Sequence, residues 1–249
     1  MKKFFSLVFL ILFLLVFSSC KKEKPAVTNV YTDKVKSYTE TLKSSSGTTS
    51  ETYNFDYDSQ ERITTITSES SAAEKKFVFN YADSSFTMDA FSGGTLYVHE
   101  IFYLKNSLTD SSYQYDNTLD TIAEKYLYNS SNLLSVRNEY AYYYGRAILS
   151  RITVYTYDNN GNLIKTNNTN NKIETYDYYP DLVYTMPVIS PKTQPRKTNL
   201  VKTYTLQENG NTIGTTTSTY TFDSNNRITS ITEKASNGSV GVKTFTYFD

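Results

Sequence analysis

Tyr57-Asp58-Ser59-Gln60-Glu61-Arg62-Ile63-Thr64-Thr65-Ile66-Thr67 recurs far along the chain as Phe222-Asp223-Ser224-Asn225-Asn226-Arg227-Ile228-Thr229-Ser230-Ile231-Thr232. A third version is Tyr155-Thr156-Tyr157-Asp158-Asn159-Asn160-Gly161-Asn162-Leu163-Ile164. A fourth, Tyr126-Leu127-Tyr128-Asn129-Ser130-Ser131-Asn132-Leu133-Leu134, reads as one residue shorter in its turn. In each, an aromatic strand runs into a polar turn and an aliphatic strand returns. Asp58, Asp158 and Asp223 are predicted to start the turns by accepting backbone N–H groups, and Gly161 and Asn226 to supply the left-handed position. Glu61 holds that position in the first copy and suits it less well.

Period-two rows extend outward from these hairpins. Tyr53, Phe55 and Tyr57 share one strand face, as do Phe77, Phe79 and Tyr81. Tyr97, His99, Ile101 and Tyr103 form a row, with Val98, Phe102 and Leu104 opposite. The chain has 24 Tyr and 14 Phe but no Trp. Tyr, Phe and Thr fit pleated sheet, Asn, Asp and Ser fit turns, and helical spacing of apolar residues is missing beyond the amino terminus. The expectation is an all-β fold, a large curved antiparallel meander of hairpins over residues 31–249, either open or closed into a barrel. A proline-bearing stretch near 180–199 interrupts the strand pattern. Because repeat copies flank it, it reads as a long loop inside one domain.

The Tyr-x-Tyr-Asp-x-x-Gly-Asn-Leu unit resembles the YD repeat of Rhs-type proteins. The layout as a whole is similar to a Bacteroidetes-type family of lipoproteins of unknown function. Its members carry a lipobox, then "tYdxxGRI" hairpins, then a basic, proline-flanked connection and a last block of hairpins. Here that connection would be Pro187 to Asn199, with Pro191-Lys192-Thr193-Gln194-Pro195-Arg196-Lys197 inside it. The resemblance spans most of residues 31–249 and implies a large curved antiparallel sheet with no assigned activity. This chain departs from the pattern in having Gly in only one of the main hairpin copies.

The amino terminus opens Met1-Lys2-Lys3 and continues as an apolar run from Phe4 to Phe17, broken only by Ser6. The run is short of the roughly 20 residues of a membrane span. It matches a secretory signal peptide over residues 1–19. Phe17-Ser18-Ser19-Cys20 resembles a lipobox, with Phe17 where Leu is usual, which implies a diacylglycerol on Cys20, the only cysteine. An exported chain whose one thiol is acylated has no disulfides. Residues 20–30 would form a polar tether. Lys21, in place of an Asp after the cysteine, implies passage to the outer membrane under the family-level rule; which side it faces is left open.

The signal removes Lys2 and Lys3, leaving 23 basic against 25 acidic side chains, a balance that gives no reason to expect nucleic acid. His99 is the only histidine, and no Gly-x-Ser-x-Gly nucleophile turn accompanies it. No zinc constellation or Asp-x-Asp-x-Asp-Gly calcium loop is present, so no metal and no cofactor beyond the covalent lipid is expected. Acids such as Asp56, Asp58, Glu100 and Glu139 could supply a carboxylate pair but stand in unremarkable contexts. Tyr140, Tyr142, Tyr143 and Tyr144 are the densest aromatic cluster and a candidate binding surface, since neighbouring strand residues point to opposite faces. The reading is a non-catalytic envelope lipoprotein, a binding or scaffolding module with a glycan or envelope protein as partner and the membrane held through its anchor. The alternatives are a glycan-processing enzyme using a carboxylate pair and an accessory subunit of an outer-membrane complex.

Overall fold

The computed structural model describes residues 34–69, 74–116, 121–144, 146–185 and 197–248. Every regular element in them is a strand. The first eight are β1 (Val35–Ser44), β2 (Gly47–Tyr57), β3 (Ile63–Glu69), β4 (Lys75–Tyr81), β5 (Ser85–Ser92), β6 (Thr95–Lys105), β7 (Leu108–Asp116) and β8 (Thr121–Tyr128). The rest are β9 (Leu134–Tyr143), β10 (Arg146–Tyr157), β11 (Leu163–Asn168), β12 (Lys172–Thr185), β13 (Lys197–Glu208), β14 (Asn211–Phe222), β15 (Ile228–Ala235) and β16 (Val240–Tyr247). Each strand pairs with its sequence neighbours, and β1 pairs antiparallel with β16, closing a sixteen-stranded barrel. Closure resolves the open-or-closed alternative and leaves no sheet edge unpaired.

The repeat explains one rim. The turns of all four copies join an even-numbered strand to the next odd one, so they lie at the same end. Oδ1 of Asp58 accepts the N–H groups of Gln60 and Arg62 at 2.9 Å each. Asn129, Asp158 and Asp223 do the same for the residues two and four ahead. The third residue after each is left-handed: Glu61 at φ 63°, Asn132 at 58°, Gly161 at 82° and Asn226 at 60°. Gly161 and Asn226 thus behave as expected, and Glu61 adopts the same geometry. The fourth copy is a full-length turn, because Asn129 and Leu133 bond across the same span as Asp58 and Arg62. A fifth turn of this type, Asn168 to Lys172 with Asn171 at φ 56°, sits at the opposite rim.

The tyrosine before the turn has its own role. Tyr57 Oη donates to Val35 O, Tyr81 to Ile63 O, Tyr128 to Thr109 O and Tyr157 to Leu134 O. Tyr178 donates to Leu163 O, Tyr220 to Val201 O and Tyr247 to Ile228 O. Seven tyrosines therefore tie every even strand but β6 to a carbonyl near the start of the preceding odd strand, a belt running round the repeat rim. Arg62 binds Asp58 and lies over the Tyr81 ring at 4.3 Å; Arg227 binds Asp223 and lies over Tyr247 at 4.7 Å. The Asp–Arg–Ile spacing of the repeat thus links one hairpin to the next.

The interior near this rim is apolar. Val35, Phe55, Ile63, Ile66, Phe79, Phe86, Phe102, Leu200, Ile228, Ile231 and Phe245 form one buried cluster, with Phe86 stacked on Phe102 at 4.4 Å. Through the pleat, the alternate residues face outward. On β1 and β2 these are Thr39 and Thr41 opposite Thr52 and Ser50, joined by hydroxyl hydrogen bonds of 2.9 and 3.0 Å. On β14 they are Thr215, Thr217, Thr219 and Thr221. Charges stand on the outer face around the circumference: Asp56, Lys76, Lys125, Lys165, Asp177 and Lys234.

Two interior features refine the sequence reading. β12 continues through Pro180, where a proline break was expected; the ladder shifts register between Tyr178 and Val183, so the missing N–H of Pro180 forfeits no ladder bond. Asn199 Nδ2 donates to the carbonyls of Tyr179 and Pro180 there, and residues 186–196 of the expected loop lie outside the described residues. Second, Glu51 accepts hydrogen bonds from Ser68 (2.5 Å), Lys75 (2.9 Å) and Tyr53 (2.7 Å), and these hold its carboxyl down at about 2, against an ordinary 4.5. A depressed carboxylate adds stability above its unfolded value that is lost as pH falls through the folded one. With solvent screening the contribution is about 1–2 kcal/mol. Glu51→Gln is expected to destabilise the barrel by that amount at pH 7, the gap to the parent closing between pH 4.5 and 2 in denaturant titrations; a gap that is independent of pH would refute the assignment.

Candidate functional site

The apolar cluster draws no member from β7 to β11 among the described residues. There the inner rows are polar: Ser112 and Gln114 on β7, Glu124 and Tyr126 on β8, Arg137 and Glu139 on β9, Arg151 and Thr153 on β10. Those of β7 to β9 line a cavity of about 530 Å³ that reaches from Gln114 and Ile122 down to Tyr128, Leu134 and Tyr157. Phe102 and Glu100, 1% and 4% exposed, line it on the β6 side.

Register puts the charged groups together. Glu124 and Glu139 are direct cross-strand partners, as are Tyr126 and Arg137, and Arg151 faces Glu139 from β10. Arg137 lies 3.6 Å from the Glu124 carboxylate, and Arg151 pairs with Glu139. Tyr126 Oη donates to Glu124 and lies 3.4 Å from Ser112 Oγ. Burial, then the adjacent Glu124 carboxylate, pushes the Tyr126 hydroxyl far above the ordinary tyrosine range, so it remains a donor. The Nε atoms of Arg137 and Arg151 are buried with no hydrogen-bond partner.

Sequence reasoning treated Glu100 and Glu139 as unremarkable. The barrel gathers both, with Glu124, beside Tyr126, Tyr128 and Tyr157. The missed signal was the row Glu124, Tyr126, Tyr128, in which a charge shares the face of two inward tyrosines. The alternating pair Arg137 and Glu139 was a second such signal. The predicted aromatic cluster lies partly on the wall and partly at a hairpin tip. Tyr140 and Tyr142 face outward opposite Leu149 and Ala147, while Tyr143 and Tyr144 sit at the hairpin tip on the far rim, 58% and 107% exposed. His99 is on the outer face, its Nδ1 2.5 Å from Asp89 Oδ1 on β5, away from the cavity. Asp58, Asp158 and Asp223 are occupied in turns, Asp56 faces outward, and Cys20 lies outside the described residues.

The outer surface of this sector is the more apolar part of the barrel's exterior. Tyr103, Tyr115, Leu127, Leu149 and Val154 are exposed on it. Lys125 interrupts it, paired with Asp110.

No family model matches the chain, and no curated protein sequence matches it. The solved structure of a porin-like protein from Bacteroides uniformis ATCC 8492 is similar over 86% of this chain and 96% of that chain, with a TM-score of 0.65 and 15% identity. A porin-like protein from Bacteroides vulgatus ATCC 8482 is similar over 87% of this chain and 99% of that chain, with a TM-score of 0.59 and 11% identity. At such identities the likeness shows the shared barrel fold.

Proposed function

We propose that this chain is a non-catalytic binding protein of the cell envelope, held on the outer membrane by a lipid on Cys20, with its barrel standing in water. The observation that carries the reading is the direction of the pleat. A barrel embedded in a bilayer presents an apolar band to lipid and a polar lumen. Here most of the circumference has apolar residues inside and Thr, Ser, Asp and Lys outside. A lysine on the lipid face costs about 2–4 kcal/mol at the bilayer midplane, and mid-strand Lys125 and Lys165 face outward with Asp177. A barrel that does not insert needs another route to the envelope, and the apolar run ending at Ser18-Ser19-Cys20 supplies one. Two or more acyl chains, at about 0.8 kcal/mol per buried CH₂, anchor firmly.

The non-catalytic part of the reading draws on the cavity. The Glu124 and Glu139 carboxylates are already engaged by Arg137 and Arg151, an arrangement suited to a fixed polar lining. The test of anchoring is phase partition of envelope protein together with intact mass. The parent is expected to start at a diacylated Cys20 and enter the detergent phase, and Cys20→Ala to enter the aqueous phase. A Cys20→Ala protein that stays in the detergent phase overturns the reading.

A further inference from the structure

The cavity bounded by β6 and β10 has no part in closing the barrel or in anchoring it, and its chemistry is specific. We propose that it is a binding site for a neutral sugar, a mono- or disaccharide; this rests on the reading of the protein as a binding module and names its ligand class. The volume of about 530 Å³ falls within the roughly 300–1,000 Å³ of small-ligand sites. An apolar ligand would strip water from the polar lining of Gln114 and the carboxylates and return no hydrogen bonds for it. An anion would meet three carboxylates, Glu100, Glu124 and Glu139. The arginines against Glu124 and Glu139 remove most of the charge that would call for a cation.

What remains is a set of acceptors and donors that match hydroxyl groups. Paired carboxylates still have free lone pairs, since each oxygen accepts more than one hydrogen bond. Gln114 both donates and accepts, and Arg137, beside Glu124, brings guanidinium N–H donors to the lining. Tyr128 and Tyr157 add ring surface at the lower end, suited to the C–H face of a pyranose. The fold also gives up apolar core for this lining: β7 to β11 contribute nothing to the buried cluster that the other strands share, among the described residues.

The test is calorimetric titration of the full mature protein with glucose, N-acetylglucosamine and cellobiose, with glucuronate as the charged comparison. Saturable binding of at least one neutral sugar is expected, and none of glucuronate. Glu100→Gln and Gln114→Leu should each weaken it about tenfold or more, the scale of one lost hydrogen bond to a charged or polar partner. Tyr144→Ser, at the rim, should leave it unchanged, and all variants should keep the parent's circular dichroism. No saturable binding of the three neutral sugars overturns the site, as does binding that both cavity variants leave intact; the anchored-barrel reading survives either result. Cleavage of bound cellobiose would overturn the non-catalytic reading while keeping the site.

Discussion

Raised from pH 10 to pH 12, the barrel is expected to unfold cooperatively, with tyrosine ionisation and loss of sheet signal in a single transition. Burial pushes Tyr53, Tyr57, Tyr81, Tyr178 and Tyr220 up to about 12 from an ordinary 10.0. Tyr38, Tyr126 and Tyr176 are pushed further, by burial and then by Glu40, Glu124 and Glu174 respectively. The folded chain therefore holds these protons more tightly than the unfolded chain does. Stability from a raised group is complete below the unfolded value and is lost as pH climbs through the folded one. With partial exposure discounted, each of the five contributes about 1–2 kcal/mol. Their sum rivals the roughly 5–15 kcal/mol that keeps a domain folded. Tyrosinate absorbance and far-ultraviolet circular dichroism recorded together check this. Tyrosines that ionise near pH 10 while the sheet signal persists would contradict the burial account.

The second large effect concerns the tyrosine belt. Tyr81→Phe, Tyr178→Phe and Tyr247→Phe combined are expected to lower stability by about 3–6 kcal/mol. Each change conserves ring volume and removes a hydroxyl, leaving the carbonyl of Ile63, Leu163 or Ile228 without its donor. An unsatisfied buried acceptor costs about 1–3 kcal/mol, and sites on separate strands add. Tyr103→Phe, on the outer face and 44% exposed, is the control and should be neutral. Equal effects of the belt triple and the control in urea titrations would show that the hydroxyls carry no structural load.

Much of this fold was legible because its signals are local. Asp58, Asp158 and Asp223 bind backbone two and four residues ahead, so five residues of sequence contain the whole turn. Alternation likewise revealed the strand faces, because the pleat has a period of two. Closure was not legible: Tyr38 meets Phe245 and Glu40 meets Lys243 only after fourteen intervening strands have set the curvature. The cavity was hidden for a related reason. Glu124, Glu139 and Arg151 come from three strands, and cross-strand register, which a single sequence does not display, decides that they meet. Pro180 misled because a proline reads as a break unless the register shift that accommodates it is known. On β6 the sequence shows two opposite rows without saying which faces inward; Phe102 and Glu100 take the interior and His99 lies in the outer row.

The central claim is that this barrel keeps its apolar rows inside over most of its circumference and its outer face in water. Spin labels on Lys125→Cys, Asp177→Cys and Thr217→Cys, placed mid-strand on widely separated parts of the wall, test it most directly in envelope-bound protein. The account predicts that all three are relaxed by a water-soluble nickel reagent and little affected by oxygen dissolved in lipid. Strong oxygen relaxation with nickel excluded at the three sites together would mean a lipid-facing band, and would contradict it.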